Sequence, residues 1–174
     1  ENIPIDILGF PIIGKLEKIY ELDFQLKYKE AIVALGNSNL RLKWLNSLMK
    51  NGYNIPSFVH PDAFLSKSST VGRGTVIFAK SVVQANVKLG DGIIVNSSSI
   101  IEHDVEIGFG THICPGVTMG GNVKIGDSSW IGIGSTIKEN LFIGSNVIIG
   151  AGSVVLNDIS DNSIAFGVPA RTKK

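Results

Sequence analysis

Aliphatic residues recur at every sixth position through the second half of this chain. The rungs of this ladder are Val71, Ile77, Val83, Leu89, Val95, Ile101, Ile107, Ile113, Met119, Ile125, Ile131, Ile137, Ile143, Ile149 and Val155. Four positions after each rung stands a small or aliphatic residue, so positions one and five of each hexapeptide face inward. A short strand followed by a tight corner gives this pattern, whereas a helix or a plain alternation does not. We therefore predict a mainly β protein, a parallel β-helix of hexapeptide repeats.

Three hexapeptides would make one triangular coil, so every third hexapeptide should share features. One set begins with an aliphatic residue and glycine: Val71-Gly72, Leu89-Gly90, Ile107-Gly108, Ile125-Gly126 and Ile143-Gly144. Another set carries Asn or Asp at its fourth position: Asn86, Asp104, Asn122, Asn140 and Asp158. Asn and Asp are the residues besides glycine that best tolerate left-handed φ at corners. The columns support three-strand coils but do not set the hand of the helix.

The ladder extends backwards through Leu65 and Val59, so the β-helix is expected to begin near Pro56 and to have about five to six coils. We assign residues 56–174 to this domain, including a C-terminal tail.

The sequence before residue 56 has a different, α/β pattern. Ala31–Leu35 is predicted to be a buried strand, followed by a turn and by a helix that Ser38 caps and that ends near Lys50, before Gly52. The apolar face of that helix would consist of Leu40, Trp44, Leu45 and Leu48. One strand and one helix are too few for a complete nucleotide-binding fold. We expect residues 1–55 to be a partial, Rossmann-like domain whose N-terminal part is missing.

The composition narrows the classes of function. The 16 basic and 15 acidic residues nearly cancel, and no basic stripe is interleaved with aromatic residues, so we expect no nucleic-acid partner. Cys114 is the only cysteine, which excludes an internal disulfide and a cysteine-based zinc site. No apolar stretch reaches about 18 residues, and the chain opens without the features of a signal peptide. These features predict a cytoplasmic protein with no membrane insertion.

Two segments carry a family resemblance: Ile100-Ile101-Glu102-His103-Asp104 and the tail Gly167-Val168-Pro169-Ala170-Arg171. Together with residues 31–37 and 60–63, they resemble the hexapeptide-repeat acyltransferases. The closest resemblance is to bacterial sialic acid O-acetyltransferases and N-acetyltransferases of nucleotide-linked 4-amino sugars. The resemblance implies a left-handed β-helix, acetyl-CoA as co-substrate, no metal, and a homotrimer with acetyl-CoA between neighbouring subunits. It also implies that the N-terminal domain holds the nucleotide of the sugar.

Acetyl transfer from a thioester needs a base for the incoming group and donors for the oxyanion. His103 is the one titratable ring in a corner column that otherwise holds Ala85, Gly121, Glu139 and Asn157. A solvated corner histidine is the alternative, but the resemblance implies a general base. Asp104 would orient the imidazole, although its place in the Asn/Asp corner column offers a structural reason for it. Glu102 is the rival orienting carboxylate.

The resemblance also implies a set of binding residues. Asn96 and Glu102 would contact the sugar, His112 would lie near the thioester, and the backbone N–H of Gly121 would face the thioester carbonyl. The pantetheine groove would be lined by Ile133, Gly150 and Ala151. Pro169 and Arg171 would lie near the adenine and 3′-phosphate of CoA. Ordinary β-helix packing or surface charge is the alternative interpretation for most of these residues.

Four functions remain open from the sequence. N-acetylation of a nucleotide-linked amino sugar, in the biosynthesis of bacterial surface glycans or glycoprotein sugars, is the first hypothesis. O-acetylation of sialic acid or a related sugar is the second. A metalloenzyme like the γ-type carbonic anhydrases would need three ligands, and the chain has only His60, His103 and His112. A non-catalytic β-helix scaffold is the fourth.

Overall fold

A computed structural model describes residues 6–173 of the chain. Residues 1–5 and Lys174, which the predicted domains include, lie outside the described residues. The N-terminal region begins with a short antiparallel hairpin of β1 (Asp6–Ile7) and β2 (Phe10–Pro11). A 3₁₀ helix (Leu16–Tyr20), α1 (Leu22–Lys27) and α2 (Ser38–Lys50) follow.

From residue 58 onwards the chain winds as a parallel β-helix of two-residue strands with three faces. Face I contains β3 (Phe58–Val59), β6 (Val76–Ile77), β9 (Ile94–Val95), β12 (His112–Ile113), β15 (Trp130–Ile131) and β18 (Ile148–Ile149). Face II contains β4 (Phe64–Leu65), β7 (Val82–Val83), β10 (Ile100–Ile101), β13 (Thr118–Met119), β16 (Thr136–Ile137) and β19 (Val154–Val155). Face III contains β5 (Thr70–Val71), β8 (Lys88–Leu89), β11 (Glu106–Ile107), β14 (Lys124–Ile125) and β17 (Phe142–Ile143). These strands make the predicted number of coils.

The register follows the predicted repeat of three hexapeptides. Ile101, for example, pairs with Val83 on one side and with Met119 on the other. The rungs from Ile77 to Val155 are buried, and so are most residues at position five. Hydroxyl groups at position five are satisfied inside the prism, as where Ser99 Oγ donates to the carbonyl of Cys114 at 3.0 Å. Burial of each aliphatic rung contributes about 1.5–3 kcal/mol, so the ladder is the main source of stability.

The C-terminal tail extends face I. Strand β20 (Ile164–Gly167) pairs in parallel with β18 and antiparallel with β21 (Ala170–Thr172). The tail therefore lies on the same face as β12 and β15, at its C-terminal end.

Helix α2 covers the edge between faces III and I. Its buried Leu45 and Leu48 form a small core with Tyr53 and Ile55. A Cβ atom built at Gly92, on that edge, would lie 2.5 Å from Leu45, which shows how closely the helix approaches the coil. Within residues 6–173, no helix is both long enough and apolar enough to span a bilayer.

Four local predictions are wrong. Residues 31–35 form no strand, because no partner strand among residues 6–173 pairs with them; an isolated bridge joins only the preceding Glu30 to Asn54. The cap of α2 is Asn37 instead of Ser38, since the Asn37 side chain accepts a hydrogen bond from the Leu40 N–H at 3.0 Å. Asp158 is not among the residues with left-handed φ, and its carboxylate instead accepts a bond from the Phe142 N–H. Leu40, expected on the apolar face of α2, is exposed. That residues 1–55 are part of a nucleotide-binding domain stays a prediction.

Candidate active site

His103 and Asp104 lie at the edge between faces II and III and contact each other directly. Nδ1 of His103 is 2.8 Å from a carboxylate oxygen of Asp104. The other carboxylate oxygen accepts a hydrogen bond of 3.2 Å from the Asn86 side chain, one coil earlier. The bond to His103, followed by that from Asn86, lowers the pKa of Asp104 below its usual value. The contact leaves Nε2 of the exposed imidazole as the nitrogen that can take up a proton.

The left-handed backbone of Asp104, with φ of 60°, sets this contact. It turns the carboxylate back along the corner toward the preceding residue. Asp104 is therefore both a member of the Asn/Asp corner column and a hydrogen-bonding partner of His103. No hydrogen bond joins Glu102 to His103 in the described part of the chain, so of the two rival carboxylates it is Asp104 that contacts the ring.

Gly121 lies directly beside the imidazole of His103, one coil further on. A Cβ atom at this position would be 2.7 Å from Nε2 of His103 and 2.6 Å from Cε1. Any other residue would displace the ring, so the close approach requires glycine here. The Gly121 carbonyl accepts a bond from the Asn140 N–H, while its own N–H makes no hydrogen bond within residues 6–173.

A groove of about 480 Å³ runs along face I. Five of the predicted binding residues line it: Asn96, His112, Ile133, Gly150 and Ala151. Cys114, Pro115, Trp130 and Ile148 also line it. The walls are mainly apolar, and Asn96 and His112 supply the main polar side chains, which is the usual composition of a site for an extended organic ligand.

His112 is the buried titratable group of this groove, with 8% of its surface exposed. Burial, with a smaller effect from the Arg41 charge, lowers the pKa of His112 to about 4, so the ring is neutral at physiological pH. Its ring packs against Trp130 in a tilted arrangement, with centroids 4.3 Å apart and an interplanar angle of 53°. Cys114, a buried neighbour in the groove, is a neutral thiol because burial raises its pKa to about 11.

The hydrogen bonds of Asn96 define the tautomer of His112. Asn96 Oδ1 accepts from the Ser97 N–H at 2.9 Å, so its Nδ2 is the group that faces Nε2 of His112 at 3.4 Å. An amide nitrogen can only donate, and Nε2 must therefore accept. The proton of the neutral ring is then on Nδ1, which is buried and has no hydrogen-bond partner in the described chain.

The tail residues Pro169 and Arg171 lie at the C-terminal end of face I. Strand β20 packs beside the groove, because a Cβ atom at Gly150 would be 2.8 Å from Cβ of Phe166. Arg171 pairs with Phe166 across the β20–β21 ladder, and its guanidinium donates to the carbonyl of Ala170 at 3.2 Å. The groove and the tail thus form one continuous surface.

The predicted site residues fall into two groups that a single chain keeps apart. Glu102, His103, Asp104 and Gly121 belong to the edge between faces II and III, whereas the groove lies on face I. That edge is opposite face I in a three-sided prism, so His103 does not face the groove of its own chain.

Sequence reasoning missed Trp130, Ile148, Cys114 and Pro115 as groove residues. The signal for two of them was present, because Trp130 and Ile148 stand in the same column as His112 at intervals of three hexapeptides. A second cleft of about 390 Å³ was also missed. One side of it is formed by residues 36–39, which comprise the bend before α2 and the first two residues of α2 and are called the turn at residues 36–39 below. The other side is a wall of Ser128, Trp130 and Ile148.

His60 is remote from both groups. It lies just after β3, at the start of the β-helix, and its Nδ1 accepts from the Asp62 N–H at 3.1 Å. Among residues 6–173, no cluster of three or more His, Cys, Asp or Glu side chains is arranged to hold a metal ion.

The fold and the groove define a transferase of the hexapeptide-repeat class. The family model described as bacterial transferase hexapeptide (six repeats) matches residues 122–157. No curated protein sequence matches the chain. Among solved structures, the acetyltransferase domain of PglB from Neisseria gonorrhoeae FA1090 is 35% identical, with a TM-score of 0.94 over 99% of this chain and 84% of that chain. The same domain has been solved in complex with acetyl coenzyme A.

PerB from Caulobacter crescentus, in complex with CoA and GDP-perosamine, is 30% identical, with a TM-score of 0.94 over 98% of this chain and 82% of that chain. WeeI from Acinetobacter baumannii AYE is 26% identical, with a TM-score of 0.80 over 97% of this chain and 80% of that chain. The chain therefore belongs to the hexapeptide-repeat sugar acetyltransferases, with their left-handed parallel β-helix, and is an acyltransferase that uses acetyl-CoA. The predicted fold class and family are confirmed.

Proposed function

We propose that this protein transfers the acetyl group of acetyl-CoA to the amino group of a nucleotide-linked amino sugar, in the biosynthesis of a bacterial surface glycan or glycoprotein sugar. The observation that carries the proposal is the His103–Asp104 contact of 2.8 Å, which leaves Nε2 free beside Gly121. The complex of PerB with CoA and GDP-perosamine supports an amino sugar as acceptor. Acetyl-CoA and nucleotide sugars are cytoplasmic metabolites, so the proposed reaction belongs in the cytoplasm.

The proposed mechanism is direct attack on the thioester. Nε2 of His103 accepts a proton from the acceptor amine while the amine nitrogen forms a bond to the acetyl carbonyl carbon. Asp104 holds the ring through Nδ1 and stabilises the imidazolium that forms. When the tetrahedral intermediate collapses, the carbon–sulfur bond breaks and the imidazolium returns the proton to the CoA sulfur. The products are the acetamido sugar and CoA.

Two donors are proposed for the oxyanion. The N–H of Gly121 is unpaired within residues 6–173 and lies beside the base. Nδ1–H of His112 is a buried donor without a partner, and such a group costs about 1–3 kcal/mol. A thioester oxygen would remove that cost if the ring turned to bring this hydrogen to the groove, because Nδ1 itself is buried. A neutral imidazole can donate in this way without placing a second cation near the base.

We assign acetyl-CoA to the groove on face I. Its apolar walls at Ile133, Gly150 and Ala151 suit the pantetheine arm, and Asn96 and His112 would lie near the thioester. The adenine and 3′-phosphate would extend toward Pro169 and Arg171, where a guanidinium suits a phosphate. Glu102, on the edge with His103, would contact the sugar.

We propose a homotrimer, because the base and the groove lie on different sides of one chain. In a closed ring of three, the edge between faces II and III of each copy approaches face I of its neighbour. His103 of one subunit would then act on acetyl-CoA held by the next, and three equivalent sites would form.

The test is a mass-spectrometric assay with acetyl-CoA against UDP- and GDP-linked 4-amino sugars and free sialic acids. We expect one nucleotide-linked amino sugar to gain an acetyl group on nitrogen. His103→Ala should lower kcat by roughly 10²–10⁴-fold, because it removes the general base. His60→Ala is the matched control and should retain wild-type turnover. Transfer to sialic acid alone would show that the acceptor is sialic acid and not a nucleotide-linked amino sugar. Full activity in His103→Ala would refute the mechanism.

A further inference from the structure

Arg41 of α2 is buried in an unusual way. Only 1% of its surface is exposed, yet within residues 6–173 no carboxylate lies within ion-pair distance of its guanidinium. Burial lowers the pKa of Arg41 below its usual value, but a guanidinium stays charged in proteins. A buried charge without a counter-ion carries a penalty of several kcal/mol, which hydrogen bonds must offset.

Four hydrogen bonds to main-chain carbonyls satisfy the guanidinium. Nε donates to the carbonyl of Gly92 and Nη2 to that of Gly110, each at 2.7 Å. Nη1 donates to the carbonyls of Leu35 and Gly36 at 2.7 and 2.8 Å. The first pair are corners of two consecutive coils, and the second pair belong to the turn before α2. The planar guanidinium group of Arg41 therefore joins the N-terminal region to two coils of the β-helix.

Both ends of this connection lie next to residues of the groove, although neither end lines it. Gly110 lies two residues before His112, at the corner that leads into β12. The turn at residues 36–39 lies across the second cleft from Trp130 and Ile148. Trp130 and Ile148 are also walls of the groove on face I, and Trp130 packs against His112. The guanidinium thus fixes the two sides of one cleft relative to each other.

We propose that Arg41 is a positioning residue for acetyl transfer, which holds the corner before His112 and the turn at residues 36–39 in one fixed relation. This inference rests on the function proposed above. The positive charge of Arg41 has a second effect. After burial, it is the second cause that lowers the pKa of His112 and so keeps the ring neutral. The other groups around that ring are the Asn96 amide, the Trp130 indole and the neutral Cys114 thiol. Arg41 therefore helps to fix the position of His112, the proposed oxyanion donor, and to keep its ring neutral.

The experiment compares Arg41→Lys and Arg41→Gln with Lys43→Gln, which removes a cation from an exposed position of the same helix. Steady-state kinetics should be measured well below the unfolding temperature. A lysine cannot reach four carbonyls on two coils and a turn, so both Arg41 variants should lose roughly tenfold or more in kcat/KM. Lys43→Gln should match the wild type.

A second readout needs no substrate. Titration of the His112 ring nitrogens by NMR should show a raised pKa in Arg41→Gln and an unchanged titration in Lys43→Gln. Arg41→Lys separates the charge from the packing: it keeps the cation and should leave the His112 pKa nearly unchanged, whereas a general loosening of the fold would raise that pKa in both Arg41 variants. Wild-type kinetics in both Arg41 variants, together with an unchanged His112 titration, would overturn the inference.

The outcomes also separate the inference from the proposed function. If the wild type fails to transfer acetyl groups, the proposed function is wrong, while the His112 titration still decides whether Arg41 acts on that ring. If the Arg41 variants do not fold, Asn37→Ala loosens the same turn by removing the α2 cap. We expect about a threefold loss of kcat/KM from that local change. No loss in Asn37→Ala would contradict the role of the turn.

Discussion

Two edges of the prism carry left-handed glycines at the same coil spacing for different reasons. On the edge between faces III and I, a Cβ atom at Gly110 would lie 2.7 Å from Leu42 of α2. On the edge between faces I and II, a Cβ atom at Gly134 or Gly152 would meet nothing within 4 Å. Beyond the reach of α2, the first edge changes to Ser128, Asn146 and Asn162, which keep the left-handed φ.

The difference separates backbone geometry from packing. Left-handed φ alone does not require glycine at these corners, because Asn146 adopts φ of 55° and Ser98 adopts 59°. Gly110 is required by the helix that covers it, while no atom of residues 6–173 requires Gly134. The open edge borders the groove, so in the proposed function its free space is where acetyl-CoA lies.

The largest expected effect is on stability, where the same substitution should have different consequences on the two edges. Asn tolerates left-handed φ, so Gly110→Asn and Gly134→Asn differ mainly in what the new side chain meets. Gly110→Asn should lower the free energy of unfolding by about 2–3 kcal/mol, because it pushes Leu42 and α2 away from the coil. Gly134→Asn should change it by less than about 0.5 kcal/mol. Urea denaturation measures both values, and equal losses would contradict the distinction.

A somewhat smaller effect is expected on ligand binding at the open edge. Ala151→Leu fills the groove from an exposed position and should weaken acetyl-CoA binding by about 30-fold, or about 2 kcal/mol. The matched control, Lys43→Leu, adds a leucine at an exposed position of α2 that lines neither the groove nor the second cleft. Isothermal titration calorimetry should show wild-type affinity for the control, and equal affinity in both variants would place acetyl-CoA elsewhere.

The smallest expected effect, taken per pH unit, is the pH dependence of stability. Since the pKa of His112 falls from 6.5 to about 4 on folding, the unfolded state binds more protons between these values. The free energy of unfolding should therefore fall as pH is lowered through this window, by at most about 1.4 kcal/mol per pH unit for one group. His112→Asn should flatten the dependence in urea titrations at several pH values. An unchanged slope would show that the ring is not held neutral.

The sequence predicted the β-helix because each coil repeats the same local environment, so one pattern of inward positions recurs along the ladder. The two groups of site residues were also implicit in that pattern, since His103 and His112 occupy columns of different faces. Residues 31–35 were mispredicted because a strand depends on a partner, which local alternation cannot reveal. The choice between Asp104 and Glu102 depended on the direction of a side chain.

Arg41 had no signature in the sequence. A guanidinium that binds main-chain carbonyls leaves no complementary acidic residue, and its acceptors come from residues 35, 36, 92 and 110. Only the docking of α2 on the coils brings them together. The closeness of Gly121 to His103 is different, because the column of His103 already contained that glycine one coil further on.

The central claim is that the base of one copy serves the groove of another, and mixing two impaired variants tests it most directly. His103→Ala keeps the groove, and Ala151→Leu keeps the base, so with acetyl-CoA held well below its KM each alone should have at most about a thirtieth of wild-type activity. Mixed in equal amounts by co-refolding, random trimers should restore about a quarter of wild-type activity, because a quarter of their interfaces join an intact base to an intact groove. A mixture that stays as inactive as its separate components would contradict the shared site.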